Sequence, residues 1–422
     1  MRKLVRPFRL VQPPRHLAHL VASRSYLSYD KSELQDKLDR NPYSYLQVIN
    51  PDAKQDIAAK RGTKPFFRSV RDEYDEFLNK GWLEGTDGPG YVIYRQTTPE
   101  TSYTGIICVL DLVRAKDGDI KIHELTLETR EELFVSYLEN VGFHAEPVLC
   151  ARKTGHPGES QLDLCIEDIT SSRPADCDFS TTDYIRHSVW WVNKDVDNGL
   201  SEALAPLDKV YLADGHHRLA SSLKLMHRYA DEPGVDRMLA YVIPADELRI
   251  LGFHREVLNF KGDIREFIAR IESIDSVKKV EKLEGESARV EPRLGEIDCI
   301  HSGAVYRLTL SKDSEGDRID AKWLGEEIIE RLMGINDPRT NPNLKYIPGT
   351  ITRDDLIEKT SGGSNIVFGL HPIPIELITS IADAGGYLPP KSTWVEPKIR
   401  SGLFVYEFGN HDHPEYKPYG QR

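Results

Sequence analysis

The stretch Tyr211-Leu212-Ala213-Asp214-Gly215-His216-His217-Arg218-Leu219-Ala220 constrains the fold of this chain more than any other. An apolar run with strand character meets a glycine and continues at once with helical spacing to about residue 229, so a strand must end and a helix begin within two residues. A chain containing that junction is neither all-α nor all-β. Similar alternation surrounds it. Residues 106–112 read as a buried strand, residues 129–141 carry helical spacing through Leu133, Phe134, Tyr137, Leu138 and Val141, and residues 147–150 and 210–213 read as short strands. The fold class expected is mixed α+β.

Four segments follow from the pattern. Residues 1–105 read as an irregular α+β region: Ser32 caps a helix over 33–40 that Asn41-Pro42 ends, 43–49 is a strand, a helix runs through Val70, Tyr74, Phe77 and Leu78 to Gly81, and 91–94 is a strand. Residues 106–260 form the core segment. Residues 261–350 run helix, charged alternating strand, apolar strand at 304–310 and helix near 326–333, and residues 351–422 return to short strands and Gly/Pro-rich turns.

Charge narrows the partners. Lys plus Arg number 55 against 67 Asp plus Glu, a formal charge of −12, which argues against a nucleic-acid partner because non-specific binding needs a cationic surface to displace counterions. No run approaches the roughly 18 apolar residues needed to cross a bilayer, so no membrane partner is expected. The five cysteines, Cys108, Cys150, Cys165, Cys177 and Cys299, are odd in number and contain no C-x-x-C pair, so neither a disulfide framework nor a zinc knuckle is read from them and a reducing, cytoplasmic location is expected. Arg2, Lys3, Arg6, Arg9, Arg15 and Arg24 precede the first acid, Asp30, a bias found in transit peptides. Pro7, Pro13 and Pro14 oppose that reading by interrupting any amphipathic helix.

Three constellations can carry chemistry. At Asp214 to Arg218, the first N–H groups of a helix emerge beside two imidazoles and a guanidinium, a setting suited to phosphate oxygens, and Asp214 is placed to hold Mg²⁺ against them. The plain alternative makes Asp214 an N-cap and Arg218 a structural ion pair. At His123-Glu124-Leu125-Thr126, Leu127 stands where a metalloprotease would need its second histidine, so Glu124 is either a general base toward a hydroxyl or a helix-start charge. Gly385 to Thr393 nearly spells a P-loop, but Pro390 removes a donor at the second glycine position. Lys391, Lys398 and Arg400 then line an anionic site or form a solvated basic turn.

These residues resemble a known family. The strand leading into Asp214 to Arg218, the His123-Glu124-x-Thr126 stretch, RPFR (Arg6 to Arg9), NPYSYLQVINPD (Asn41 to Asp52) and PPKSTWVEPKIRSGLF (Pro389 to Phe404) resemble the domain-of-unknown-function 1015 family over nearly the whole chain. That likeness places RPFR in the body of the family. The middle is similar, more distantly, to the free-serine kinases of the ParB/sulfiredoxin-like superfamily, at His123-Glu124, at Glu146-Pro147-Val148-Leu149 and at Tyr211 to Arg218, in that order.

The resemblance implies a ParB/sulfiredoxin-like mixed core within 106–260, with N-terminal and C-terminal α+β elaborations. It implies a small-molecule kinase that phosphorylates free L-serine or a similar hydroxylated metabolite, using ATP or ADP with Mg²⁺. Glu124, Asp214 and His216 would be catalytic, with Glu124 the general base. Gly215, His216, His217 and Arg218 would hold the nucleotide phosphates, Asp214 the metal, and His123 and Thr126 the acceptor. After Glu124 the chain reads Leu125-Thr126-Leu127-Glu128-Thr129-Arg130, unlike the kinases, so the resemblance supplies no pocket for an amino acid's amine and carboxylate. Sulfiredoxin chemistry is disfavoured, because histidine stands around Gly215-His216-His217 where that enzyme has its cysteine. A ParB-like nucleotide-binding or nucleotide-hydrolysing regulator without an acceptor is the alternative, and a non-catalytic scaffold contacting partners through Pro389 to Phe404 is a third reading.

Overall fold

A computed structural model describes residues 2–53, 59–154, 157–193, 197, 199–311, 319–336 and 341–409, with backbone alone for 157–160. The architecture is mixed α+β, as expected, and forms two compact units. The first comprises Met1–Ile122, Thr126–Leu248 and Pro397–Arg422; the second comprises His123–Leu125 and Arg249–Glu396.

The first unit is built on one large sheet. Its strands lie in the order Ile120–Lys121, Val210–Asp214, Val148–Arg152, Arg237–Pro244, Ser102–Asp111, Gly90–Thr97, Arg186–Asn193 and Cys177–Ser180. Val210–Asp214 runs parallel to Ile120–Lys121 and antiparallel to Val148–Arg152, with an irregularity between Leu212 and Asp214. Apolar residues on alternate positions of these strands, among them Ile93, Cys108, Leu110, Cys150, Leu212 and Ala240, bury one face against Leu219 and Met226 of the helix His216–Arg228. A second cluster packs Phe66, Val70, Tyr74 and Phe77 of Lys64–Asn79 against Val141 and Phe143. The basic N-terminal stretch is part of this body: Val5 pairs with Leu110, Phe8 and Leu10 are buried, and Arg6 donates to Asp111 at 3.2 Å.

Two local expectations are corrected here. Residues 43–49 hold a one-turn helix, Leu46–Ile49, rather than a strand. Ser44 accepts from the Leu46 N–H and Gln47 donates to the Leu38 and Asn41 carbonyls, and such local side-chain bonds favour a turn over a ladder. The helix Lys31–Arg40 is capped by Asp30, not Ser32. Asp30 accepts from Glu33 N at 2.9 Å while Glu33 accepts from Asp30 N at 3.1 Å, a reciprocal capping box that satisfies two otherwise unpaired donors and starts the helix two residues earlier.

The second unit carries an antiparallel sheet in the order Val277–Leu283, Ala304–Leu310, Glu296–His301, Ile366–Leu370, Phe253–Val257 and Leu344–Pro348. Asp298, fully buried at its centre, is bound by Arg307 at 2.8 and 2.9 Å and by Arg353 at 2.6 Å. Residues 351–409 hold two helices that the strand-and-turn expectation omitted, Arg353–Lys359 and Ile375–Asp383; residues 410–422 lie outside the described residues. Thr352 caps the first of these helices by accepting from Asp355 N at 3.2 Å, and Ile378 and Ala382, four residues apart, bury one face of the second.

Candidate functional site

The site is built around Gly215. Its φ of +106° is left-handed, and a Cβ there would stand 2.5 Å from Val148 Cγ1 and 3.2 Å from Arg218 Cζ. Only glycine meets both conditions. It is the N-cap of His216–Arg228, and no side chain caps that end. The first N–H groups of an α-helix have no intrahelical acceptor, and the dipole places partial positive charge there.

Asp214 is therefore not the cap of the plain reading. Its carboxylate accepts from Lys398 Nζ at 2.9 Å, a residue 184 positions away. Burial raises its pKa, but the charges of Lys398 and Arg218, the Lys398 hydrogen bond and the charge of His216 overcome that effect and hold the carboxyl at about 2. The Asp214 side chain keeps 42% of its exposure, so the ionised oxygens remain reachable. Arg218 is anchored as the plain reading expected. Its Nη1 donates to the carbonyls of Glu146 at 2.9 Å and Pro147 at 2.8 Å, with the Glu146 carboxylate 3.6 Å away. His216 is buried and His217 half-buried on the first turn.

The segment that delivers Lys398 is tied down along its length. Gln96 donates to the Lys398 carbonyl at 3.3 Å. Arg400 is buried and donates to Asp183 at 2.8 and 2.6 Å and to Thr181 at 3.2 Å. Beyond it Gly402 N donates to Ala145 O at 3.0 Å, and Tyr406–Glu407 pairs with Phe143–His144.

Other expected residues lie as follows. Thr126, in the first unit, donates its hydroxyl to Glu131, whose carboxylate also takes Lys224 at 2.8 Å. His123 and Glu124 belong to the second unit. There the buried His123 accepts at its carbonyl from Leu388 N at 2.7 Å, and the half-buried Glu124 forms a parallel bridge with Leu388. Lys391 also belongs to the second unit, so the stretch Lys391 to Arg400 is shared between the two units.

Residues 5–332 match a family described as protein of unknown function (DUF1015). The chain belongs to the DUF1015 family. No curated protein sequence matches it. Among solved structures, this DUF1015 chain is similar to a free serine kinase in complex with ADP, at 15% identity over 72% of this chain and 93% of that one, with a TM-score of 0.38. It is also similar to C-terminally truncated SbnI from Staphylococcus aureus, at 12% identity over 70% of this chain and 85% of that one, TM-score 0.38. A conserved hypothetical protein from Pyrococcus furiosus shares 14% identity over 71% of this chain and 95% of that one, TM-score 0.35.

The donor set in this DUF1015 chain suits a jointly held metal. Among the described residues no three His, Cys, Asp or Glu gather into a protein-only cage. One ionised, half-exposed carboxylate beside cations is what Mg²⁺ takes when substrate phosphates complete its shell. No described helix is long and apolar enough to cross a membrane.

The pairing of Asp214 with Lys398 is the contact at this candidate site that sequence reasoning missed. The Pro389 to Phe404 run was noticeable as a motif, but a contact across 184 positions leaves no local periodicity.

Proposed function

We propose that the chain is a small-molecule kinase that moves a phosphoryl group from ATP or ADP to a hydroxyl, with free L-serine as the acceptor and O-phosphoserine as the product. The observation carrying this reading is the Asp214 carboxylate, held ionised near pKa 2 between Lys398 and Arg218 at the start of His216–Arg228. Phosphoryl transfer demands little covalent chemistry of a protein and depends on positioning and on neutralising oxygen charge. In this reading the N–H groups that follow Gly215, with His216, His217 and Arg218, hold phosphate oxygens, and His216 faces the charge that grows on the transferring group. Asp214 would hold Mg²⁺, which when bound with nucleotide neutralises phosphate charge. Lys398 keeps Asp214 deprotonated and adds a cation to the same locus. Glu124 takes the acceptor's hydroxyl proton, and His123 and Thr126 contact the acceptor.

The test is incubation of the purified protein with L-serine, Mg²⁺ and either ATP or ADP, with ³¹P NMR detection of O-phosphoserine. Glu124→Gln is expected to lower the rate by about 10²–10⁴-fold, the usual contribution of a general base. Nucleotide binding without product from serine or from a panel of hydroxylated metabolites would replace the kinase reading by the ParB-like regulator.

A further inference from the structure

The second unit holds a buried charge that no acid among the described residues balances. Arg255, in the middle of Phe253–Val257, is 4% exposed. Guanidinium groups are seldom buried so fully without a counter-ion and acceptors for their five donors. Arg353 and Arg307 in the same unit follow that rule, and both end on Asp298. Arg255 does not. Among the described residues its Nη1 donates to the Phe253 carbonyl, its Cζ lies 4.7 Å from the centre of the Tyr346 ring, and no carboxylate pairs with it. Burial lowers its pKa to about 10, with only the Tyr346 hydroxyl opposing.

Its surroundings suit a ligand. The Tyr346 ring lies 5.7 Å from that of Phe253, and the Trp394 ring lies 5.6 Å from Phe253 on a further side. Lys391 places its ammonium 5.7 Å from the centre of the same Phe253 ring. Lys391 is exposed, pairs with no carboxylate among the described residues, and has a left-handed φ of +60°, a conformation that non-glycine residues adopt chiefly where the surroundings impose it. Two cations with no carboxylate partner among the described residues thus lie against three aromatic rings, all within one unit.

We propose that this cluster is an oxyanion site for a small phosphate-bearing molecule, with the Arg255 fork receiving the phosphate, the rings of Phe253, Tyr346 and Trp394 facing the body of the ligand, and Lys391 adding attraction across the Phe253 ring. A guanidinium fork matches the oxygens of phosphate in pairs, and two unpaired cations suit a dianion better than a monoanion. The site draws on neither Asp214 nor Arg218, so it stands apart from the kinase reading.

The experiment is titration of full-length protein with inorganic phosphate, followed by ³¹P line broadening, on an Arg218→Ala background that weakens the first unit's locus. Phosphate binding is expected to persist on that background, to weaken by about tenfold or more in Arg255→Gln and less in Arg255→Lys, and to weaken about threefold in Lys391→Ala at unchanged melting temperature. Absence of binding on the Arg218→Ala background would overturn the proposal. So would binding indifferent to Lys391→Ala, a surface change that tests the site even where Arg255→Gln fails to fold. Acetate competing as well as phosphate would replace the phosphate ligand by a carboxylate.

Discussion

Each unit sets an arginine and a lysine from the Pro389 to Phe404 run near a site, and the two pairs are balanced differently. In the first unit Lys398 meets Asp214 at 2.9 Å, while Arg218 rests on two carbonyls with Glu146 at 3.6 Å. In the second, Lys391 and Arg255 meet rings and one carbonyl and no described acid. Two lysines seven positions apart have therefore been given opposite surroundings by tertiary packing. A locus that pairs cations with an ionised carboxylate attracts phosphate and a divalent ion together, because the acid can pass from lysine to metal. One with cations alone attracts the bare anion, since burying guanidinium without counter-charge is unfavourable until an anion arrives. The units also share a device: a buried histidine kept neutral beside the arginine. His144, affected by burial and then by Arg218, is held at about 3, and His254, affected by burial and then by Arg255 and Arg353, at about 4.

Four measurements break or sharpen that contrast. The largest effect is expected from Gly215→Ala, where a Cβ at 2.5 Å from Val148 Cγ1 on a left-handed backbone should destabilise the first unit by about 3 kcal/mol. Chemical denaturation reads the loss, and phosphate binding at Arg255 should survive under conditions where the protein stays folded. Next is pH. The folded pKa of His144 lies below its unfolded value, so the unfolded chain binds more protons and stability falls as pH drops below about 6.5. Between pH 7 and 5 that loss is about 2 kcal/mol for one such histidine, and His144→Phe should flatten the melting-temperature profile by this share. A profile unchanged by the substitution would remove the shared device.

Lys398→Met comes third, lowering nucleotide affinity about tenfold by isothermal titration and raising the Asp214 pKa toward the ordinary carboxylate value, readable by carboxyl NMR. The sign for the parent protein follows from the same shift. Asp214 contributes stability above its unfolded pKa near 4 and loses it as pH falls toward 2, and the variant should lose that acid-side slope. Phosphate binding in the second unit should not change; a parallel loss there would mean that the two lysines act as one group. The smallest effect is expected from Ser32→Ala, within about 0.5 kcal/mol, because Asp30 and Glu33 cap that helix; Asp30→Ala should cost about 1 kcal/mol.

Much of the fold was legible where a pattern is local. Residues 106–112, 129–141 and 210–229 read correctly because burial on one face imposes a period of two or of 3.6 on consecutive residues. Residues 43–49 misled because Tyr, Val and Ile have strand preference, whereas hydrogen bonds from Ser44 and Gln47 decide for a turn. The helix Ile375–Asp383 was missed among glycines and prolines that bracket it without interrupting it. At the site, Gly215 and the residues after it were readable as a strand-turn-helix junction. Asp214 was misread as a possible cap because its partner comes from the far end of the chain.

The sequence alone determined the α+β class, the family and the anion-suited helix start at Gly215, since each depends on neighbours in the chain: alternation, a glycine that can take positive φ, and a motif of adjacent residues. Tertiary structure alone decided which charges are balanced. Whether Lys398 finds Asp214 and whether Arg255 finds an acid depend on contacts between distant segments, and charge interactions act through space, where the sequence carries no period to announce them.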